Sequence, residues 1–186
     1  MIVLKKHVLF LILSALLFRS LFAQKNTEFP NNMVGLWVGT LHVSNPVKGK
    51  LEAVPMTLLI APIPDSTNVY TYEITYGTEK NDMRPYTLKL ADVNRNHWKI
   101  DENNGIVLDG YWAGGAFSQI FSVQGNLIIC TQRIVGKTLL YEIISVQATP
   151  NTITGSGTAE SPTVETNRIT GVQRAELTRI KIKVMK

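Results

Sequence analysis

The side chains that most often do chemistry are thinly spread along this chain of 186 residues. Its three histidines are His7, His42 and His97. No His-x-His or Cys-x-x-Cys spacing brings ligands together, so no metal ligand set is expected and no cofactor is implied. Cys130 is the only cysteine, which leaves no internal disulfide, and it reads as a small buried hydrophobe rather than a reactive thiol. A Gly-x-Ser-x-Gly elbow and a phosphate-binding loop are both missing. Asp92, Asp101 and Glu102 fall at expected turns, where solvated acids are ordinary. No nucleophile–base pair can be named, so an enzyme is the least supported of three functional readings. The polar residues that stand out are Gln119, Gln132 and Tyr141, because they interrupt apolar runs. A buried amide must be hydrogen-bonded, or it costs about 1–3 kcal/mol per lost partner. What they can do depends on the elements that carry them.

Those elements read as strands. Apolar and polar residues alternate with period 2 from Val34 onward, and no stretch repeats with helical spacing. The clearest case is Val69-Tyr70-Thr71-Tyr72-Glu73-Ile74-Thr75-Tyr76, with Tyr70, Tyr72, Ile74 and Tyr76 on one face. Strands are expected at 34–43, 53–61, 68–77, 84–91, 96–102, 106–113, 116–124, 127–135, 138–148 and 168–184, with a weaker one at 151–158. Residues 160–167 read as a polar loop.

The turns predict a register. Gly125-Asn126, Gly136-Lys137 and Gly114-Gly115 each suit a two-residue hairpin, and Asn103-Asn104-Gly105 suits a three-residue loop. Counted outward, they pair Val123 with Ile128, Gln119 with Gln132, Gln132 with Tyr141, Trp112 with Phe117, Gly110 with Gln119, and Ile100 with Leu108. One face then holds Trp98, Ile100, Ile106, Leu108, Trp112, Phe117, Phe121, Val123, Ile128, Cys130, Ile134, Leu139 and Ile143. The other holds Lys99 across from Asp109, with Ser118, Thr131, Arg133 and Glu142. With Asp109 and Glu142 outside, no carboxylate pair of the glycosidase kind faces inward. The outer face also carries Leu127, Ile129, Leu140 and Ile144. A meander of about ten antiparallel strands would leave two long edges if open, so an up-and-down closed barrel is expected, with a two-sheet sandwich as the alternative.

Residues 1–23 read as a signal peptide, with Lys5 and Lys6 ahead of an apolar run of about 11 residues and Ala23 before Gln24. A membrane span needs about 20 residues. The expected organisation is therefore a cleaved segment, 1–23, and a single β-barrel domain, 24–186, periplasmic or secreted, with membrane contact only through the uncleaved segment. The formal net charge of +5 includes three basic residues of that segment; the remainder has 16 basic against 14 acidic groups. A net of +2 gives no electrostatic footprint for nucleic acid.

Gly35-Leu36-Trp37 opens the first expected strand as the Gly-x-Trp motif opens lipocalins, and Gly39 follows closely. With the meander behind it, the chain resembles the calycin group of lipocalin-like barrels, which includes fatty-acid-binding and nitrobindin-like proteins. The resemblance implies that Trp37 closes one end of the barrel under a late arginine, for which Arg174 and Arg179 are the matches. The chain departs from the group in lacking a late histidine for haem and the disulfide of many secreted lipocalins.

The leading expectation is an exported barrel binding a small, largely apolar ligand. Trp98, Trp112, Phe117, Phe121 and Tyr141 would line its cavity, and Gln119 and Gln132 would orient the ligand, with Gly110 leaving room beside them. The alternative is an interaction or structural module of the cell envelope. In that case the barrel is filled, Gln119, Gln132 and Tyr141 satisfy one another, and Leu127, Ile129, Leu140 and Ile144 meet a protein partner.

Overall fold

The structure, a computed structural model, describes residues 29–46, 49–79 and 82–180. The expected signal peptide and the last residues of the expected final strand lie outside these. The chain divides into two units, residues 1–33 and 34–186. Of the first, residues 29–33 are described; they form a turn in which the Met33 amide donates to the Pro30 carbonyl at 2.8 Å.

The second unit is all-β. Its strands are β1 (Gly35–Asn45), β2 (Lys50–Pro62), β3 (Val69–Tyr76), β4 (Met83–Asp92), β5 (His97–Asp101), β6 (Val107–Ala113), β7 (Ala116–Val123), β8 (Asn126–Val135), β9 (Thr138–Gln147), β10 (Thr152–Thr154), β11 (Val164–Thr166) and β12 (Ile169–Ile180). One 3-10 turn, Val93–Arg95, joins β4 to β5. Ten of the strands close an antiparallel barrel: β1 to β9 pair in sequence order, and β12 fills the gap between β9 and β1. Closure removes both free edges. The other two, β10 and β11, form a separate ribbon between β9 and β12. β11 falls in the stretch expected to be a polar loop; its residues Val164, Glu165 and Thr166 are all exposed, so no apolar alternation marked it.

Three of the four expected hairpin registers are found as expected. Ile100 faces Leu108, Trp112 faces Phe117, Gly110 faces Gln119, and Gln132 faces Tyr141. The fourth differs. The β7–β8 turn is made by Gln124 and Gly125, with φ of 48° and 76°, not by Gly125-Asn126. Two successive positive φ values are what a type I′ turn requires. Gln119 therefore faces Cys130, and Gln132 faces Phe117. Drawing Asn126 into the strand lets it pair with Gln147 at the end of β9, a position it could not fill from within the turn. A slip of two residues keeps every side chain on its expected face.

The inner face packs as two ends. At one end Trp37, Ile60, Tyr70, Leu88, Trp98, Phe117, Leu139 and Leu177 are buried. Trp37 stands opposite Arg179, whose guanidinium carbon lies 4.4 Å from the Trp37 ring centroid. Arg174 points outward instead and pairs with Glu142. At the other end Ile106 and Val123, expected inside, are exposed. On the outer face Lys99 does stand across from Asp109, but the Asp109 carboxylate meets His97 Nε2 at 2.7 Å. The His97 ring stacks on Tyr111, with centroids 4.7 Å apart. Lys89, on the neighbouring strand, pairs with Asp101 at 2.9 Å.

Candidate functional site

The end opposite Trp37 holds a cavity of about 130 Å³. Its floor is polar and comes from the middles of three neighbouring strands and one distant one: Gln119 on β7, Cys130 on β8, Tyr141 on β9 and Tyr72 on β3. Ile74, Ile100, Leu108, Phe121, Ile128 and Ile143 make an apolar wall, with Tyr76, Tyr86 and Glu102 completing it. The period-2 pattern of each strand puts these residues inside; closure of the barrel brings β3 over β8 and β9.

The hydrogen bonds of the floor cross the lumen. The Gln132 Nε2 amide donates to the Tyr72 hydroxyl, 60 residues away in sequence, and lies 3.8 Å from Cys130 Sγ. Tyr76 and Tyr141 join their hydroxyls at 2.9 Å. Within this floor, Gln119 Nε2 and Gln132 Oε1 are buried amide atoms with no hydrogen-bond partner among the described residues. Gln119 is 5% exposed and Gln132 1%. A buried amide end without a partner is rare and calls for an explanation.

No group in this floor is charged at neutral pH. Burial pushes the Tyr72 and Tyr141 phenols well above their ordinary range, with the nearby Cys130 thiol adding to the effect. Burial raises Tyr76 to about 12 and the Cys130 thiol to about 11. Cys130 is thus held as the neutral thiol, the less nucleophilic form. Tyr86 is also raised, first by burial and then by the Glu102 carboxylate. Among the described residues no group of three His, Cys, Asp or Glu is placed to hold a metal ion.

The expected ligand-lining residues divide between the two ends. Gln119, Phe121 and Tyr141 line the cavity. Gln132 lies beneath it, held by Tyr72. Trp98, Trp112 and Phe117 do not line it. Trp98 packs edge-on to Tyr70, with centroids 6.1 Å apart, and Phe117 is fully buried at the Trp37 end. Nor does Gly110 leave free space: a Cβ there would run into the Phe117 ring. The direct Gln119–Gln132–Tyr141 network is replaced by two bonds that reach Tyr72 and Tyr76 on β3. Tyr72, Tyr76 and Tyr86 were not among the expected lining residues; the tyrosine stripe of β3 was their visible signal.

A wider open groove, about 740 Å³, crosses the outer face of β1, β12, β9 and β8. Its lining includes Arg133, Glu142, Arg174 and Glu176, with His42 beside them. Arg174 is paired to Glu142, and no buried polar atom in the groove lacks a partner among the described residues. The smaller interior cavity is the better candidate because it alone is floored by an unsatisfied buried group. The outer apolar residues Leu127, Ile129, Leu140 and Ile144 are half-buried in the sheet surface.

No protein-family profile matches the chain, and no curated protein matches its sequence. Solved structures do match its fold. A protein of unknown function from the DUF3598 family of Nostoc punctiforme superposes with a TM-score of 0.56 at 11% identity, over 81% of this chain and 48% of that one. The chain thus spans about half the length of that protein. The S-type phycobiliprotein lyase of Guillardia theta superposes with a TM-score of 0.51 at 12% identity, over 81% of this chain and 89% of the lyase. At such identity the likeness is one of fold alone.

Proposed function

We propose that this chain is an exported, lipocalin-like barrel that binds a small, largely apolar molecule at the end opposite Trp37. The observation that carries the reading is Gln119 Nε2, a buried donor without a partner among the described residues, in the floor of a cavity with an apolar wall. Natural interiors seldom leave such a group unmet, and a bound molecule would meet it. An engineered apolar cavity of about 150 Å³ takes up benzene, so a space of about 130 Å³ suits one ring-sized group. A larger molecule would extend through the mouth. Gln119, Phe121 and Tyr141 would touch the ligand, Gln132 would hold Tyr72 in place, and Trp98, Trp112 and Phe117 would serve the core. The lipocalin-like assignment draws support from Trp37 under Arg179. The likeness to a phycobiliprotein lyase is in keeping with a ligand-binding role.

The test is titration with prodan, a neutral aromatic ketone whose emission rises in apolar surroundings. The intact protein should enhance it saturably, and Phe121→Asp should abolish the effect while still melting cooperatively. Enhancement unchanged in Phe121→Asp would refute the site. Export is tested by the intact mass of the protein recovered outside the cytoplasm: a mature start near Gln24 is expected, and retention of Met1 would exclude cleavage.

The second reading, a filled barrel that meets a protein partner, draws on the outer face. Exposed Ile120 faces Ile129, which faces Ile144, giving an apolar row across three strands. It becomes the better reading if prodan does not bind.

A further inference from the structure

We infer that the cavity selects a neutral ligand with a carbonyl-type oxygen at its buried end, and discriminates against carboxylates such as fatty acids. The inference rests on the binding reading above and adds the chemical class of the ligand. Three observations carry it. The unmet group that lines the cavity is a donor, Gln119 Nε2; the unmet acceptor, Gln132 Oε1, belongs to a residue beneath the lining. Two further donors lie beside it. Tyr72 accepts from Gln132 and keeps its own hydroxyl hydrogen, and the Tyr76–Tyr141 pair uses one of its two hydrogens in the bond between them, with the weakly accepting Cys130 sulfur the other partner of Tyr141. An acceptor oxygen placed there gains hydrogen bonds that an alkyl group cannot make.

Charge narrows the class. Among the described residues no lysine, arginine or histidine lines the cavity, and Glu102 is the one carboxylate in its lining. Arg84 is a cation that acts on Tyr76 and Tyr86, but it is exposed and its Nη1 donates to the Met83 carbonyl. Its influence on Tyr86 is smaller than that of Glu102. Burying a carboxylate without a partner cation is strongly unfavourable, whereas a ketone, ester or amide carbonyl needs only the donors already present. The phenols stay protonated through neutral pH, so their hydrogens remain available.

The experiment uses three probes of one shape on the full chain: acetophenone, α-methylstyrene, in which =CH₂ replaces the carbonyl oxygen, and benzoate. Calorimetric titration should rank acetophenone at least about tenfold tighter than either of the others, as one hydrogen bond to an otherwise unmet buried donor allows. The carbonyl stretch of bound acetophenone should shift to lower frequency, and Gln119→Leu should remove both the shift and the advantage over α-methylstyrene. If α-methylstyrene binds as tightly as acetophenone to the unaltered protein, the donors are not used: the inference falls and the binding reading stands. If benzoate binds tightest, the cavity is an anion site and the inference falls. If none of the three binds, the binding reading fails and takes the inference with it.

Discussion

Removing the Tyr72 hydroxyl while leaving Gln132 in place strands that amide at both ends. Its Nε2 keeps only the Cys130 sulfur at 3.8 Å, and its Oε1 already has no partner among the described residues. The residue is 1% exposed, so water cannot substitute freely. Tyr72→Phe should therefore destabilise the barrel by about 1–3 kcal/mol. Gln132→Leu behaves differently. It strands the Tyr72 hydroxyl, at similar cost, but removes the unpartnered Oε1, so the two effects offset and the variant should lie within about 1 kcal/mol of the parent. The double variant Tyr72→Phe with Gln132→Leu leaves no amide or hydroxyl from this pair in the interior. It should be more stable than Tyr72→Phe alone by about 1 kcal/mol or more, because replacing both members of a buried polar pair by apolar groups of like shape is close to neutral. Urea melts of all four proteins, compared at constant m, complete the cycle. Additive effects would mean that Tyr72 and Gln132 do not interact across the lumen, and the floor described above would be wrong.

Gly110→Ala should cost about 1–3 kcal/mol by overpacking, since its Cβ would meet the Phe117 ring and lie 3.1 Å from Gln119 Cγ. Phe117→Leu in the same chain should recover part of the loss; a melt unchanged by Gly110→Ala would contradict the packing of this pair. Stability should also fall in alkali. Cys130 is raised from 9.0 to about 11 and Tyr76 from 10.0 to about 12 by burial, so the folded state holds these protons more tightly than the unfolded chain does. Their contribution is full below about pH 9 and is lost as pH rises from there through the folded values. Each two-unit shift corresponds to about 3 kcal/mol at most. Urea melts between neutral pH and the alkaline limit should show the decline, and Cys130→Ala should remove part of it; a flat profile would show that neither group is buried as a neutral acid.

Much of the barrel is legible in the sequence because its information is local. Ten stretches of period-2 alternation, punctuated by Gly, Asn and Pro, mark the ten barrel strands to within a few residues. Three hairpins follow from turn chemistry alone. The β7–β8 hairpin does not, and the reason is physical: parity forbids a slip of one residue but is blind to a slip of two. Phe121 opposite Ile128 is as apolar a pair as Phe121 opposite Cys130. Turn preference favours Gly ahead of Asn126, whereas the extra ladder position opposite Gln147 favours Asn126 in the strand, and the ladder prevails despite a positive φ at Gln124.

The site is less legible, because its floor is made by closure rather than by any hairpin. Alternation places Tyr72, Gln132, Tyr76 and Tyr141 inside, but their meetings span 60 and 65 residues of chain and depend on strand tilt and stagger around the whole barrel. Side-chain volume then decides which end stays open. Phe117 fills the gap that Gly110 leaves, and with Trp37, Trp98 and Tyr70 it concentrates aromatic mass at one end. The other end is walled by Ile74, Ile100, Leu108, Ile128 and Ile143, together with Phe121, Tyr76 and Tyr86. An aromatic-rich lining looked like the natural cavity wall in the sequence. In the barrel Trp98 and Phe117 fill the Trp37 end, and the cavity forms at the other, where the aromatic part of the lining is Phe121 and the tyrosines, with Gln119 as the unmet polar group among them.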